Sequence, residues 1–89
     1  MSDWSLYMIR DGHGCLYTGI STDVTRRLTE HTSGMGARAL RGKGPLELVF
    51  QLQVGGHSQA LRLEYLLKRW PKWRKEALLR GECQLPELQ

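Results

Sequence analysis

Residues 4–32 have the sequence WSLYMIRDGHGCLYTGISTDVTRRLTEHT, and this stretch decides the fold of the chain. Its first seven residues are mostly aromatic or large and apolar, which predicts a strand over residues 4–10. The tetrapeptide Asp-Gly-His-Gly at residues 11–14 is a turn signal, because glycine adopts positive φ without steric cost. A returning strand over residues 15–20 completes a β-hairpin, and a helix is expected over residues 23–32.

The length of the hairpin loop decides which faces of the sheet Tyr7 and Tyr17 occupy. A three-residue loop pairs Asp11 with Cys15 and places Tyr7 opposite Gly19, so that both tyrosines share one face. A four-residue loop sends the two tyrosines to opposite faces. We expect the three-residue loop, although tyrosines are also ordinary residues of half-buried strands.

The helix that follows the hairpin has signals at both ends. Ser21 or Thr22 is expected to cap it, with Asp23 in the first turn, where the helix dipole favours an anion. Gly34 is expected to end the helix in a positive-φ conformation.

The core-facing stripe of this helix contains two polar residues. Val24 and Leu28 are expected in the core, whereas Arg27 and His31 lie four residues apart on the same side of the helix. Arginine binds phosphate through two parallel hydrogen bonds, and histidine exchanges a proton near neutral pH. The alternative is an arginine that extends to solvent and a histidine that is merely hydrogen-bonded.

The rest of the chain is expected to add one strand and two helices. The strand is predicted over residues 46–54, and the helices over residues 59–70 and 72–80, with Ser58 capping the first and Pro71 in the first turn of the second. The order is therefore β-β-α-β-α-α. This order predicts an α+β fold class, a small three-stranded antiparallel sheet flanked by helices.

The length of 89 residues fits a single domain. We place this domain at residues 1–81 and a poorly ordered tail at residues 82–89. No apolar run approaches the ~20 residues that a membrane span needs, and the first residues lack the pattern of a secretory signal. Cys15 and Cys83 are expected to be reduced thiols of a cytoplasmic protein, and a monomer is the expected oligomeric state.

The net charge of +4 is concentrated in two segments. Residues 26–43 contain five basic residues and one acid, and residues 59–80 contain seven basic residues and two acids. Residues 33–45, which overlap the first segment, are expected to form a long, flexible, basic loop. Clustered lysine and arginine indicate a polyanionic partner, most simply a nucleic acid. The alternative is a solvated helix face.

Glu64 is a carboxylate inside the predicted helix over residues 59–70. It is either half of an i, i+4 pair with Lys68 or a single ligand for a divalent cation. Mg²⁺ takes one or two protein carboxylates and keeps several waters, so one glutamate is sufficient. His13 and Cys15 have no second pair at zinc spacing, which argues against a structural zinc.

Together these residues resemble the GIY-YIG nuclease superfamily, most closely its small stand-alone bacterial, YhbQ-like branch. The resemblance covers residues 4 to about 80. It is carried by motifs in the family's order: Ser5-Leu6-Tyr7, Tyr17-Thr18-Gly19, an arginine helix at residues 20–31, and a glutamate helix at residues 60–64 followed by Leu67-Lys68-Arg69.

The resemblance implies a divalent-metal-dependent endonuclease that hydrolyses phosphodiester bonds in structured or damaged DNA, with a role in DNA repair or processing. Glu64 would bind one Mg²⁺ or Mn²⁺, and neither a membrane nor a small-molecule cofactor is implied. The implied catalytic residues are Tyr7, Tyr17, Arg27, His31 and Glu64. The implied substrate-binding residues are Gly19, Arg26, Arg38, Arg41, Lys43, Lys68 and Arg69.

The resemblance also implies how the catalytic roles are divided. One of the two phenols would relay a proton from the attacking water, and Gly19 would let backbone and substrate approach closely. Arg27 would hold the scissile phosphate. His31 would transfer a proton or contact a phosphate.

The sequence departs from the family's pattern at three positions. Ser5 and Leu6 replace the glycine and isoleucine of the first motif. Ile20 stands where some members have a lysine, which removes one cation from the site. The alternative function is therefore a nucleic-acid-binding or partner-binding module on the same fold with little or no turnover. DNA is the expected partner, and RNA stays open.

Overall fold

The computed structural model describes residues 3–87 of the chain. The sheet is antiparallel with strand order β2-β1-β3, and the predicted α+β class and element order are confirmed. The elements, in chain order, are β1 (Trp4–Arg10), β2 (Leu16–Ser21), α1 (Val24–Thr32), a short 3-10 helix (Arg38–Leu40), β3 (Glu47–Gly55), α2 (His57–Lys68) and α3 (Lys72–Leu79).

The β1–β2 hairpin has the predicted three-residue loop. The Asp11 backbone N–H donates to the Cys15 carbonyl at 2.9 Å, and Tyr7 pairs with Gly19 across the strands. The Asp11 carboxylate accepts the backbone N–H groups of His13 and Cys15 at 2.8 and 3.0 Å, which closes the turn. Tyr7 and Tyr17 therefore share one face of the sheet, because side chains alternate between faces along a strand.

The sheet separates two hydrophobic clusters. One face packs against α2 and α3 through five buried residues: Leu6, Met8, Leu63, Leu67 and Leu78. The other face packs against α1 and the 3-10 helix through four buried residues: Tyr7, Ile9, Val24 and Leu40. Leu28 is partly buried against this second cluster, so the predicted core side of α1 is confirmed.

The N-terminal cap of α1 differs from the prediction. Neither Ser21 nor Thr22 caps the helix; Asp23 is the N-cap, and its side chain accepts the Arg26 backbone N–H at 3.1 Å. The physical reason is that β2 extends through Ser21, which pairs with Ser5. The Ser21 hydroxyl accepts the Asp23 backbone N–H at 2.9 Å and so supports the turn from strand to helix.

The start of α2 also differs from the prediction. Ser58 does not cap this helix, because α2 begins at His57 with Gly56 as its N-cap. The Gln59 side chain accepts the Gly56 backbone N–H at 3.3 Å, which satisfies the cap without a serine.

At the C-terminal end of α1, Gly34 has a φ of 85°, as predicted.

Both α2 and α3 end earlier than predicted. α2 ends at Lys68 rather than Trp70, because the residue before a proline disfavours helical backbone. Pro71 is the N-cap of α3 rather than a residue of its first turn, and α3 ends at Leu79.

An ion pair joins α3 to the sheet. The Arg10 guanidinium on β1 makes two hydrogen bonds to the Glu76 carboxylate on α3, at 2.7 and 2.8 Å. It also donates to the Gly14 carbonyl at 3.3 Å. This arginine therefore links the central strand, the hairpin loop and the last helix.

The loop over residues 33–45 is basic, as predicted, but it is not uniformly irregular. Arg38, Arg41 and Lys43 are exposed. Leu40, in contrast, is buried in the cluster that contains Tyr7. The burial of one leucine folds residues 38–40 into a 3-10 turn, which a count of glycines and charges does not reveal.

Residues 82–87 have no regular secondary structure. Cys83 and Leu85 pack partly against the cluster of α2 and α3, and Cys15 and Cys83 are free thiols. The boundary at residue 81 and the poorly ordered tail stay predictions. Residues 88 and 89 of that tail lie outside the described residues, as do residues 1 and 2, which entered the prediction about a secretory signal. Within residues 3–87, no helix is long and apolar enough to cross a membrane.

Candidate functional site

Three rings from three elements meet on the α1 side of the sheet. The ring centroids of Tyr7 and Tyr17 are 6.4 Å apart, and those of Tyr17 and His31 are 5.5 Å apart with the rings edge to face. Tyr7 is 1% exposed and His31 is 2% exposed, whereas Tyr17 is half-buried. The structure thus brings together the hairpin tyrosines and the histidine of α1.

Hydrogen bonds at both ring nitrogens define which nitrogen of His31 carries the proton. The Ala37 backbone N–H donates to Nδ1 of His31 at 3.0 Å, so this nitrogen carries no proton. A neutral imidazole then carries its proton on Nε2. Nε2 lies 2.9 Å from the Tyr7 hydroxyl, so His31 donates to the Tyr7 oxygen.

Gly36 allows the loop to approach the imidazole this closely. A Cβ atom at Gly36 would clash with the ring and Cα of His31. Sequence reasoning missed the role of residues 36 and 37, and the only signal was a second glycine two residues after Gly34. The loop backbone therefore belongs to the site.

The surroundings of Tyr7 disfavour loss of its proton. Burial, and then the nearby Tyr17 phenol, raise the pKa of Tyr7 to about 12. The Arg27 guanidinium acts in the opposite direction, as its positive charge lowers this pKa. Tyr7 is accordingly a neutral phenol near pH 7.

Arg27 is half-buried between a carboxylate and the ring cluster. Its Nη1 donates to Glu30 Oε1 at 2.9 Å, and the Glu30 carboxylate, followed by the Tyr7 phenol, raises the pKa of Arg27. About a third of its side chain stays exposed, at 35%. Arg27 therefore keeps its charge and has a side open to solvent.

Gly19 gives room to the Tyr7 phenol. A Cβ at Gly19 would lie 2.5 Å from the Tyr7 hydroxyl oxygen and 2.6 Å from Cζ. The close approach that requires glycine here is that of a tyrosine ring from the neighbouring strand. Its predicted role toward substrate stays a prediction.

Glu64 on α2 acts electrostatically on the ring cluster. Its negative charge raises the pKa of Tyr7, which places the carboxylate within electrostatic reach of the site. The Glu64 side chain is 19% exposed, and Lys68 Nζ lies 3.4 Å from its Oε2. The i, i+4 pair of the alternative interpretation is thus present, and the charge of the same carboxylate reaches Tyr7.

The residues around Glu64 fit a cation held by a single carboxylate. Within residues 3–87, no group of three or more histidine, cysteine, aspartate or glutamate side chains is arranged to hold a metal. That donor set fits Mg²⁺ or Mn²⁺, which complete their coordination with water and phosphate oxygens.

Ile20 lies on the sheet face opposite the two tyrosines. It pairs with Leu6 across the hairpin and packs partly buried against the cluster of α2 and α3. The chain therefore uses this position for packing.

The predicted substrate-binding cations lie on the surface. Lys68 contacts Glu64, and Arg69 donates to the Tyr65 hydroxyl at 2.6 Å. Those from the first basic segment are all exposed: Arg26, Arg38, Arg41 and Lys43.

Lys75 on α3 is a cation that sequence reasoning left out. Partial burial, and then the neighbouring Lys68 ammonium, lower the pKa of Lys75. Among residues 3–87, no carboxylate forms an ion pair with it. Lys68 on α2 and Lys75 on α3 are therefore close enough to repel each other electrostatically.

Two surface grooves lie away from the ring cluster. One, of about 300 Å³, is lined by Leu61, Arg62, Tyr65 and Leu66. The other, of about 440 Å³, runs along the hairpin turn and the start of β3, where it is lined by Arg10, Asp11, Gly12, Pro45, Leu46 and Glu47.

His31 makes the stability of the fold depend on pH. Burial, and then the Arg27 charge, lower the pKa of His31 below the unfolded value of about 6.5. The unfolded chain therefore binds a proton first as the pH falls, so stability is lost between the unfolded and the folded pKa. We expect the free energy of unfolding, from urea titrations, to fall from pH 7 toward pH 5. His31→Gln, whose amide can keep both hydrogen bonds, should flatten this fall, and an unchanged slope would contradict the assignment.

Comparison with known proteins identifies relatives over most of the chain. The family described as "GIY-YIG catalytic domain" matches residues 3–77. A UPF0213 protein of Serratia proteamaculans is 59% identical over 76 residues, which cover 85% of this chain and 74% of that protein. A UPF0213 protein of Yersinia enterocolitica is 55% identical over 84 residues, covering 92% and 87% of the two chains.

Two solved structures share the fold. The solution NMR structure of a UPF0213 protein from Bacillus halodurans has a TM-score of 0.60 and 36% identity, covering 90% of this chain and 85% of that chain. The solution NMR structure of a protein from E. faecalis has a TM-score of 0.62 and 25% identity, covering 100% and 96% of the two chains.

Proposed function

Since this chain belongs to the GIY-YIG catalytic-domain family and, within it, to the UPF0213 proteins, we propose that it is a divalent-metal-dependent DNA endonuclease. The family is a nuclease superfamily, which points to a nucleic acid substrate. The substrate is proposed to be structured or damaged DNA, in repair or processing. The proposal includes a cytoplasmic location and a monomeric state.

The observation that carries this proposal is the convergence of five side chains of four chemical kinds. Two phenols, a guanidinium, a neutral imidazole and a carboxylate come from β1, β2, α1 and α2 and influence one another electrostatically. A pure binding surface gains nothing from an inward carboxylate, because Glu64 repels phosphate unless a cation bridges them.

The two phenols have different roles in this mechanism. Tyr7 is buried, with a pKa of about 12, and it holds its place by accepting the Nε2–H of His31. Tyr17 is half-buried and accessible. Tyr17 is therefore the phenol that contacts the attacking water and relays its proton. His31 acts as a neutral donor that positions Tyr7.

Arg27 and Glu64 handle the charge of the phosphate. The exposed side of Arg27 contacts the scissile phosphate and stabilises the charge that develops on its oxygens. Glu64 would hold Mg²⁺ or Mn²⁺, and the bound ion supplies polarisation of the phosphate and stabilisation of the leaving oxygen. Lys68 and Lys75 add positive charge beside this site.

A substrate panel tests the proposal. Labelled single-stranded, duplex, nicked, flapped and four-way DNAs, with one single-stranded RNA, are incubated with Mg²⁺ or Mn²⁺ and with EDTA. We expect metal-dependent cleavage of at least one DNA, and Arg27→Ala should slow it about 10²- to 10³-fold. Arg80→Ala is the control, because Arg80 pairs with Glu82 at the end of α3, outside the site. Absence of cleavage on every DNA would refute the nuclease.

The second candidate is a nucleic-acid-binding module with little or no turnover. Ile20 favours it, because this position packs in the core and provides no cation. Salt-sensitive binding of DNA without cleavage in the same panel would support this candidate.

A further inference from the structure

The outer surface of α2 continues directly from the candidate site. Successive residues of an α-helix are rotated by about 100°. Four residues therefore follow Glu64 round the helix within about 140°, in the order Lys68, Leu61, Tyr65 and Arg69. We refer to these four residues as the outer strip.

The outer strip combines exposed apolar groups with cations. Tyr65 is 60% exposed and Leu61 is 44% exposed. Single exposed leucines are common on protein surfaces, but these two lie one turn apart and line the groove of about 300 Å³ with Arg62 and Leu66. Lys68 and Arg69 flank them.

Arg69 orients the Tyr65 ring and lies over one of its two faces. The guanidinium donates to the Tyr65 hydroxyl at 2.6 Å, and its carbon lies over the ring at 5.4 Å from the centroid. In contrast, the Arg74 guanidinium lies 3.9 Å from the Trp70 centroid and stacks on that ring. The Tyr65 ring is therefore oriented, and its 60% exposure leaves room for a flat ligand on the face away from Arg69.

The charge of the strip indicates which ligand fits. The acidic side chain beside it on α2, Glu64, is already paired with Lys68. Lys75 adds a third cationic group, whose pKa is lowered in part by Lys68, and a bound anion would relieve this repulsion. An oriented aromatic face between cations is the arrangement that binds unpaired bases, with sequence-tolerant stacking and contacts to phosphate.

We propose that the outer strip of α2 binds an unpaired base of the substrate, with Tyr65 stacking on the base and Lys68 and Arg69 contacting its phosphates. From Glu64 to Tyr65 the helix surface spans about 10 Å, which a few nucleotides bridge. The strip therefore selects nucleic acids that carry a single-stranded segment beside the cleaved bond. Only this last statement rests on the proposed nuclease function.

Binding is measured separately from cleavage to test the strip. Fluorescence anisotropy without divalent metal compares a labelled oligothymidine strand with a blunt duplex at one salt concentration. We expect Tyr65→Ala to weaken binding of the single strand about 5- to 100-fold and to leave duplex binding unchanged. Tyr65→Phe keeps the stacking surface and should retain most of the affinity.

Trp73→Ala is the matched control. Trp73 is 70% exposed but lies on α3, outside the strip, so its loss should leave the affinity for the single strand unchanged. Equal losses in Trp73→Ala and Tyr65→Ala, or no loss in Tyr65→Ala, would overturn the proposal.

Two further outcomes separate this proposal from others. If single-strand binding depends on Tyr65 but no DNA is cleaved, the strip stands and the nuclease proposal fails. If sedimentation shows a dimer that Tyr65→Ala converts to a monomer, with unchanged DNA affinity, the strip is a subunit interface and the proposal is wrong.

Discussion

We expect Glu64→Gln to lower the rate of metal-dependent DNA cleavage by about 10³-fold. The amide has nearly the shape of the carboxylate but no negative charge, so it binds a divalent cation poorly. The charge of Glu64 raises the pKa of Tyr7, so this carboxylate lies within electrostatic reach of the ring cluster. The measurement is single-turnover cleavage of the best DNA of the panel, with a Mn²⁺ titration that monitors broadening of amide resonances near residue 64.

The control for this prediction is Lys68→Gln, which removes the same ion pair and keeps the carboxylate. Exposed and partly exposed pairs contribute only about 0.3–0.5 kcal/mol within a helix, so both variants should remain folded. Lys68→Gln should weaken DNA binding modestly and keep the Mn²⁺ broadening. Equal loss of cleavage in both variants would show that the ion pair, rather than a bound metal, accounts for the role of Glu64.

Gly36→Ala should damage both the fold and the reaction. The added Cβ would meet the ring and Cα of His31, and the ring could relieve this clash only by leaving its 3.0 Å hydrogen bond with the Ala37 backbone N–H. We expect the free energy of unfolding to fall by about 1–3 kcal/mol. Displacement of His31 from Tyr7 should lower the cleavage rate about 10²-fold.

Urea unfolding and the ¹⁵N shifts of the His31 ring measure these effects. Loss of the Ala37 hydrogen bond should move the Nδ1 shift away from that of an accepting nitrogen. Gly44→Ala in the same loop is the matched control, because no heavy atom lies within 4 Å of its added Cβ. A Gly36→Ala protein with unchanged stability and ring shifts would show that the loop does not position His31.

The hairpin and α1 were predictable because their geometry is local. An odd loop places Tyr7 and Tyr17 on one face since side chains alternate along strands. A spacing of four residues places Arg27 and His31 on one side of a helix. The errors at Ser21, Thr22 and Ser58 have a shared cause: several residue types can cap a helix, and strand pairing decides where each helix begins.

Local periodicity thus determined the orientation of side chains within each element. It placed the two tyrosines of the hairpin on one face of the sheet, and it placed Arg27 and His31 on one side of α1. The packing of distant segments decided the rest. It formed the hydrogen bond from the Ala37 N–H to His31, buried the loop residue Leu40 against Tyr7, and brought the charge of Glu64 within electrostatic reach of Tyr7. The physical reason is the distance along the chain over which each effect acts. A backbone repeat fixes the direction of a side chain within its own strand or helix, but contacts between segments depend on how the two faces of the sheet are covered.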